Sequence, residues 1–185
     1  MNDDLPKRKT VRLSGYNYAE EGLYFMTICT QERENLFGEV VEELMVLNDV
    51  GKMIETTWVE IPTIFPNIFI NTIQIMPDHI HVIIEVGADL RVRPQQIDTI
   101  NESNRLNNHN GSTQRSTPTL GTYIQRFKTI TTHRYIDGIN NFGWKHFNRR
   151  LWQRNYFEHI IRDEDYLDRI RYYIKQNPEN WEKDK

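Results

Sequence analysis

Two histidines one residue apart, His79 and His81, open the run HIHVIIEV. The run is rich in β-branched residues and reads as a strand over His79–Val86. Strand side chains alternate, so His79 and His81 share a face and can grip one metal ion. Ile80, Val82 and Ile84 share the opposite face, which would be the core, and Glu85 lies further along the histidine side. Imidazole suits a range of divalent metals. The alternative for so short a pattern is a pair of hydrogen-bonded or solvent-facing histidines.

A metal needs further ligands, and the C-terminal segment offers Tyr173 and Asn177. Four residues apart on a helix, they stand on one face. An asparagine can give a carbonyl oxygen to a hard cation, and a tyrosine can act as a nucleophile. A tyrosine at helical spacing is more often there for packing. Tyr172 is the neighbour that could be confused with Tyr173. It sits about 100° round the helix and shares the Asn177 face less well.

The elements that must position these residues follow from periodicity and punctuation. Leu23–Thr30 reads as a buried strand, and Phe37–Leu47 as a second extended stretch with a possible turn at Glu42-Glu43. Asn48 is a candidate N-cap for a helix whose apolar side is Met53, Ile54, Thr57, Trp58 and Ile61. Pro62 and Pro66 are expected to end it. A strand over Ile68–Met76 and the Pro77-Asp78 break lead into the histidine strand. After Thr119 a helical stripe of Leu120, Tyr123, Ile124, Phe127 and Ile130 appears, then a strand near Tyr156–Ile161. Asp163 caps a final helix with Leu167, Ile170 and Ile174 on its apolar side, stopped by Asn177-Pro178. The order β-β-α-β-β-α-β-α suggests an α+β sandwich with a mostly antiparallel sheet.

The chain has 185 residues, 38% hydrophobic and 26% charged, which suits one globular domain over residues 1–185. Residues Ala88–Pro118 are polar, with almost no large apolar groups, and read as a surface insertion or mobile loop. His109 within it reads as solvated. Cys29 cannot form an internal disulfide and reads as a small buried hydrophobe in a reducing compartment. No apolar run approaches the roughly 20 residues that span a bilayer. The polar start MNDDLPKRKT lacks the apolar core of a signal peptide, so no membrane partner and a cytoplasmic location are expected.

Net charge is −3, which argues against coating DNA by bulk charge. The stretch from Thr119 to Arg162 nevertheless carries eight Lys and Arg against Asp137 and Glu158, a local +6 that leaves −9 for the remainder. Arg126, Lys128, Arg134, Arg149, Arg150 and Arg154 are therefore candidates for a polyanion site. Trp144, Trp152, Tyr156 and Phe157 could stack unpaired bases, with core packing expected for at least half of them.

At this point the residues resemble a known family. MPDHIHVIIEV is similar to the His-hydrophobic-His strand of the HUH single-tyrosine transposases, and LWQRNYFEHIIRDEDYLDRIRYYIKQNP to the C-terminal signature of their REP-associated tyrosine transposase branch. RFKTITT fits the basic helix between them, and YFMTICTQERENLFGEV the first strand and its turn. The resemblance covers Tyr16 to Pro178, apart from the insertion. It implies a ferredoxin-like (RRM-like) antiparallel sheet with helices mainly on one face. It implies Tyr173 as nucleophile, with His79, His81 and Asn177 holding a divalent ion, Mg²⁺ or Mn²⁺. The implied activity is metal-dependent single-stranded DNA endonuclease and strand transfer through a 5′-phosphotyrosine. The implied partner is single-stranded or hairpin DNA, and the implied state a monomer or homodimer. Glu158-His159 matches the same signature, either as a structural pair or in a site role.

Rival readings fit less well. His79, His81 and Glu85 have part of a cupin's ligand spacing, but Ile73 and Val92 stand where that pattern needs glycines. A β/α barrel hydrolase needs about 250 residues. A non-catalytic, domesticated nucleic-acid-binding protein is the alternative from another class. The presence of all four residues argues against lost catalysis.

Overall fold

The computed structural model describes residues 21–87 and 118–181. The insertion expected at Ala88–Pro118, with His109, lies outside the described residues except for Pro118. Six strands and three longer helices occur within them: β1 (Gly22–Cys29), β2 (Gly38–Val41), β3 (Leu44–Leu47), α1 (Asp49–Ile64), β4 (Ile68–Ile75), β5 (His79–Val86), α2 (Leu120–Phe142), β6 (Phe157–Ile161) and α3 (Glu164–Asn180).

Four strands form one antiparallel sheet in the order β4-β5-β1-β6. With the β2–β3 hairpin set aside, the chain runs β-α-β-β-α-β and then α3, the split βαβ arrangement of a ferredoxin-like sheet. The alternation of β1 and β5 gives the sheet two apolar faces. Tyr24, Met26 and Ile28, with Ile80, Val82 and Ile84, form the main core beneath α1 and α2, where Trp58 stacks on Phe127 at 4.2 Å. Phe25 and Ile83 face the other way and join Ile161, Leu167, Ile170 and Ile174 of β6 and α3. Two helices thus cover one face, and α3 covers the face that bears the histidines.

Local chemistry sets the element ends. The Asn48 side chain accepts from Gly51 N–H at 2.9 Å at the start of α1, and Asp163 accepts from Tyr166 N–H at 2.7 Å at the start of α3. The second extended stretch is a separate two-stranded hairpin outside the main sheet, turning at Glu42 and Glu43 with φ of 49° and 63°.

Three expectations are corrected. Pro62 does not end α1, which runs on to Ile64. Pro178 lies inside α3, which runs on to Asn180. Each proline removes one backbone donor near a helix end, a loss offset by apolar burial, of Ile61 in one case and of the Pro178 ring itself in the other. Cys29 is only partly buried, because the last position of β1 faces the histidine side, and its thiol accepts from Arg33 Nη1 at 2.9 Å.

Candidate metal and nucleophile site

The site grows from the β4–β5 turn. Met76 N–H donates to His79 C=O at 2.8 Å and closes a two-residue hairpin over Pro77-Asp78. The Pro77 carbonyl accepts from the N–H groups of Leu36 and Phe37 at 2.8 and 3.0 Å. The Asp78 carbonyl accepts from both the N–H and the hydroxyl of Thr30, each at 2.9 Å. A turn tied on both carbonyls holds the start of β5 rigidly, and His79 is its first residue.

Each histidine is then oriented by a second contact. His79 Nδ1 lies 2.5 Å from Asp78 Oδ1, so it donates to the carboxylate and its Nε2 carries the lone pair, turned toward His81. His81 Nδ1 lies 2.9 Å from the hydroxyl of Thr27, its register partner on β1. The two Nε2 atoms face each other at 3.0 Å. Two donors about 2.0–2.1 Å from a shared cation and roughly 90–100° apart stand about 3 Å from one another. The imidazole pair therefore has the spacing of adjacent ligands to one metal. Burial is the main reason that the His81 pKa falls from 6.5 to about 3, with the electrostatic influence of neighbouring His79 and of Arg33 lowering it further. His81 is accordingly neutral near pH 7, the state a metal ligand needs.

Helix α3 brings the other two residues. Ile170 and Ile174 anchor it on Phe25 and Ile83. Tyr173 and Asn177 then line a cavity of about 610 Å³ together with His79, His81, Thr27, Arg33, Asp78 and Trp181. The Tyr173 ring is 5.3 Å from that of His81, and Trp181 lies 5.9 Å from His79. Asn177 is buried, whereas Tyr173 is 49% exposed. Tyr172 is 67% exposed and does not line the cavity. The helix is also tied to the far edge of the sheet. A bulge between Ile70 and Thr72 presents Asn71, whose Oδ1 accepts from Arg171 Nε at 3.1 Å.

The donor set is two imidazoles and one amide. Among the described residues no group of three or more His, Cys, Asp or Glu is placed to hold a metal. Asp78, Thr27, Arg33 and Trp181 were not singled out from sequence. Asp78 had a signal, its place directly before His79. Thr27 and Arg33 meet the histidines only through the pairing of β1 with β5.

The basic candidates divide. Lys128, Arg149, Arg150 and Arg154 line a second cavity of about 790 Å³ between α2 and the segment leading to β6. Lys128 is committed structurally. Its ammonium donates to the carbonyls of Gln153 and Asn155 at 2.8 and 3.3 Å, and burial lowers its pKa to about 8. Arg134 is turned to α1, bonded to Glu60 at 2.6 Å and to Thr57 at 2.9 Å. Arg126 is exposed on α2 and lines neither cavity. Of the aromatics, Trp152 is buried with its indole N–H on Thr131, and Trp144 and Tyr156 pack against the core. Phe157 is half exposed at the rim of the histidine cavity. Glu158 and His159 point to opposite faces of β6, so they are not a bonded pair, and His159 packs against Tyr166.

A protein of Haemophilus influenzae of uncharacterized function is 36% identical over 189 residues, spanning 99% of this chain and 94% of that one. The chain belongs to that protein's family. No family model matches it. The fold of this chain is transposase-like. A REP-associated tyrosine transposase bound to a REP hairpin superposes with a TM-score of 0.54, over 90% of this chain and 73% of the other, at 18% identity. No helix of the described residues is long and apolar enough to cross a membrane.

Proposed function

We propose that this protein is a metal-dependent endonuclease and strand transferase of single-stranded DNA that acts through a 5′-phosphotyrosine. The observation that carries the reading is the convergence in one cavity of two facing imidazoles, 3.0 Å apart, with Tyr173 and Asn177 from a single helix face. His79 and His81 would supply nitrogen lone pairs and Asn177 an amide oxygen to Mn²⁺ or Mg²⁺. Two nitrogen donors favour Mn²⁺ of these two. The ion would neutralise charge on a non-bridging phosphate oxygen and orient the scissile group.

Tyr173 attacks phosphorus through its phenolic oxygen. The bond from phosphorus to the 3′ oxygen breaks, the proton lost by the phenol is balanced by the one the 3′ oxygen gains, and the 5′ phosphate stays on the tyrosine. The phosphotyrosine conserves the energy of the diester, so a 3′-hydroxyl can reverse the step and join strands. Asp78 and Thr27 keep the histidines turned toward the cavity throughout. Arg149, Arg150 and Arg154 contact the DNA backbone. The hairpin bound by the structural neighbour supports single-stranded or hairpin DNA as the partner.

The test is to incubate the chain with single-stranded DNA of its own locus and Mn²⁺, then look for a protein–DNA adduct on a denaturing gel. A covalent adduct releasing a free 3′-hydroxyl is expected. DNA binding with no adduct under any divalent ion would favour the non-catalytic alternative.

A further inference from the structure

We propose that Arg33 receives the scissile phosphate, resting on the reading above. Among the described residues lining the histidine cavity, Arg33 is the one with a permanent positive charge. It follows β1 in a short turn in which Glu32 and Arg33 both adopt left-handed backbone, with φ of 58° and 57°. Neither is glycine, and the conformation is costly for both. The turn is held from both sides: Thr30 bonds to the Asp78 carbonyl, and Gln31 N–H donates to Leu151 C=O at 2.8 Å.

The guanidinium is used on two of its edges. Nε sits 3.0 Å from Asp78 Oδ2 and Nη1 donates to the Cys29 thiol at 2.9 Å. A guanidinium carries five N–H donors in a planar fork, so these two contacts fix its plane and leave further donors for an anion. The side chain is half exposed while Asp78 is buried. The carboxylate therefore acts as a hinge post that serves His79 with one oxygen and Arg33 with the other. A diester entering between Tyr173 and the histidines meets a cation already oriented. Purely structural bracing of Asp78 would need only the Nε contact and no phosphate.

The experiment separates charge recognition from bracing. Cleavage by the unmodified chain first maps the scissile phosphate. Binding is then measured in the full-length Tyr173→Phe chain with EDTA present, using one oligonucleotide with a phosphodiester at that step and one with a neutral methylphosphonate. With Arg33 present the diester should bind about tenfold more tightly, the scale of a hydrogen bond to a charged group. With Arg33→Gln the preference should fall to near unity. A preference that survives Arg33→Gln overturns the proposal and leaves the functional reading standing. If Arg33→Gln does not unfold cooperatively, Arg33→Lys decides. It keeps the charge but loses the fork, so the preference should shrink without vanishing, and an unchanged preference again overturns the proposal. Absence of any adduct from the unmodified chain takes down both readings.

Discussion

At the scale of single residues, the proposed function divides the cavity lining into Tyr173, which would react, and Asp78 and Thr27, which would aim the histidines. Tyr173→Phe removes one hydroxyl from a half-exposed ring, so folding and DNA binding should survive while adduct formation is abolished. Tyr172→Phe is the control, since Tyr172 lies outside the cavity, and adduct lost only in Tyr172→Phe would mean that the wrong tyrosine was chosen. Asp78→Asn keeps the size of the side chain but weakens its hold on His79 Nδ1. A loss of about 10–100-fold in Mn²⁺ affinity is expected by titration calorimetry, the usual effect of removing a ligand's orienting partner. His81 sets a pH dependence on the metal-free protein. Its folded pKa is about 3, against 6.5 when unfolded, so the unfolded chain binds the extra proton between those values. The His81 contribution is complete above pH 6.5 and is lost as pH falls toward 3, by up to ~1.4 kcal/mol per pH unit. Urea melts of the apo protein at pH 7 and pH 5 measure this, and His81→Gln should flatten the difference.

At the scale of elements, the tyrosine helix is the part that must be held to a fraction of an ångström. Its apolar side rests on Phe25, Ile83 and Ile161, which fixes its height above the sheet. Its rotation is restrained by Arg171, held between Asp168 at 3.1 Å and the bulge residue Asn71. The bulge re-aims one side chain at the edge of the sheet without disturbing the histidine strand beside it. Asn71→Ala should cost about 1–3 kcal/mol of stability, because Asn71 Oδ1 accepts from the charged Arg171 guanidinium and from the Thr72 hydroxyl. Adduct formation should also slow severalfold, because misplacing a reacting group is costly in rate. The check is a comparison of adduct rate with hydrogen exchange of the α3 amides, and an unchanged rate would show that packing alone positions the helix.

At the scale of the whole molecule, one sheet serves two purposes. Its α1–α2 face carries the larger core, and its α3 face carries a smaller core beside the histidine cavity. Tyr156 and Phe157 straddle the start of β6, one lining the basic cavity and the other the histidine cavity. A strand leaving the basic groove would pass this point to reach Tyr173. Binding should therefore depend strongly on salt, with the slope of log affinity against log salt scaling with the number of phosphates neutralised. Replacing Arg149, Arg150 and Arg154 by Gln should flatten that slope by about two, at ~0.7 per single-strand contact. Filter binding across a salt series measures it, and an unchanged slope would place the DNA elsewhere. The net charge of −3 makes such a local groove more selective than a uniformly basic surface.

Much of this was legible in one dimension because its physics is local. The period-two alternation of HIHVIIEV placed both histidines on one face and three apolar residues on the other, and β5 runs His79–Val86 as that pattern implies. The N-caps Asn48 and Asp163 were legible because a cap needs only a side-chain oxygen and the next turn's N–H groups. The one-turn spacing of Tyr173 and Asn177 likewise required only a helix. Proline misled at Pro62 and Pro178, since tertiary burial near a helix end outweighs one missing hydrogen bond. What local rules could not reach is set by contacts distant in the chain. The pairing of β1 with β5 brings Thr27 to His81, and a turn closed by Thr30 and Asp78 carries Arg33 into the cavity. The same dependence decided which cations are committed to ion pairs inside the fold. Arg134 and Arg149 look alike in the sequence, but one is paired with Glu60 across the helix interface and the other lines an open groove, a difference that exists only once α1 and α2 have packed.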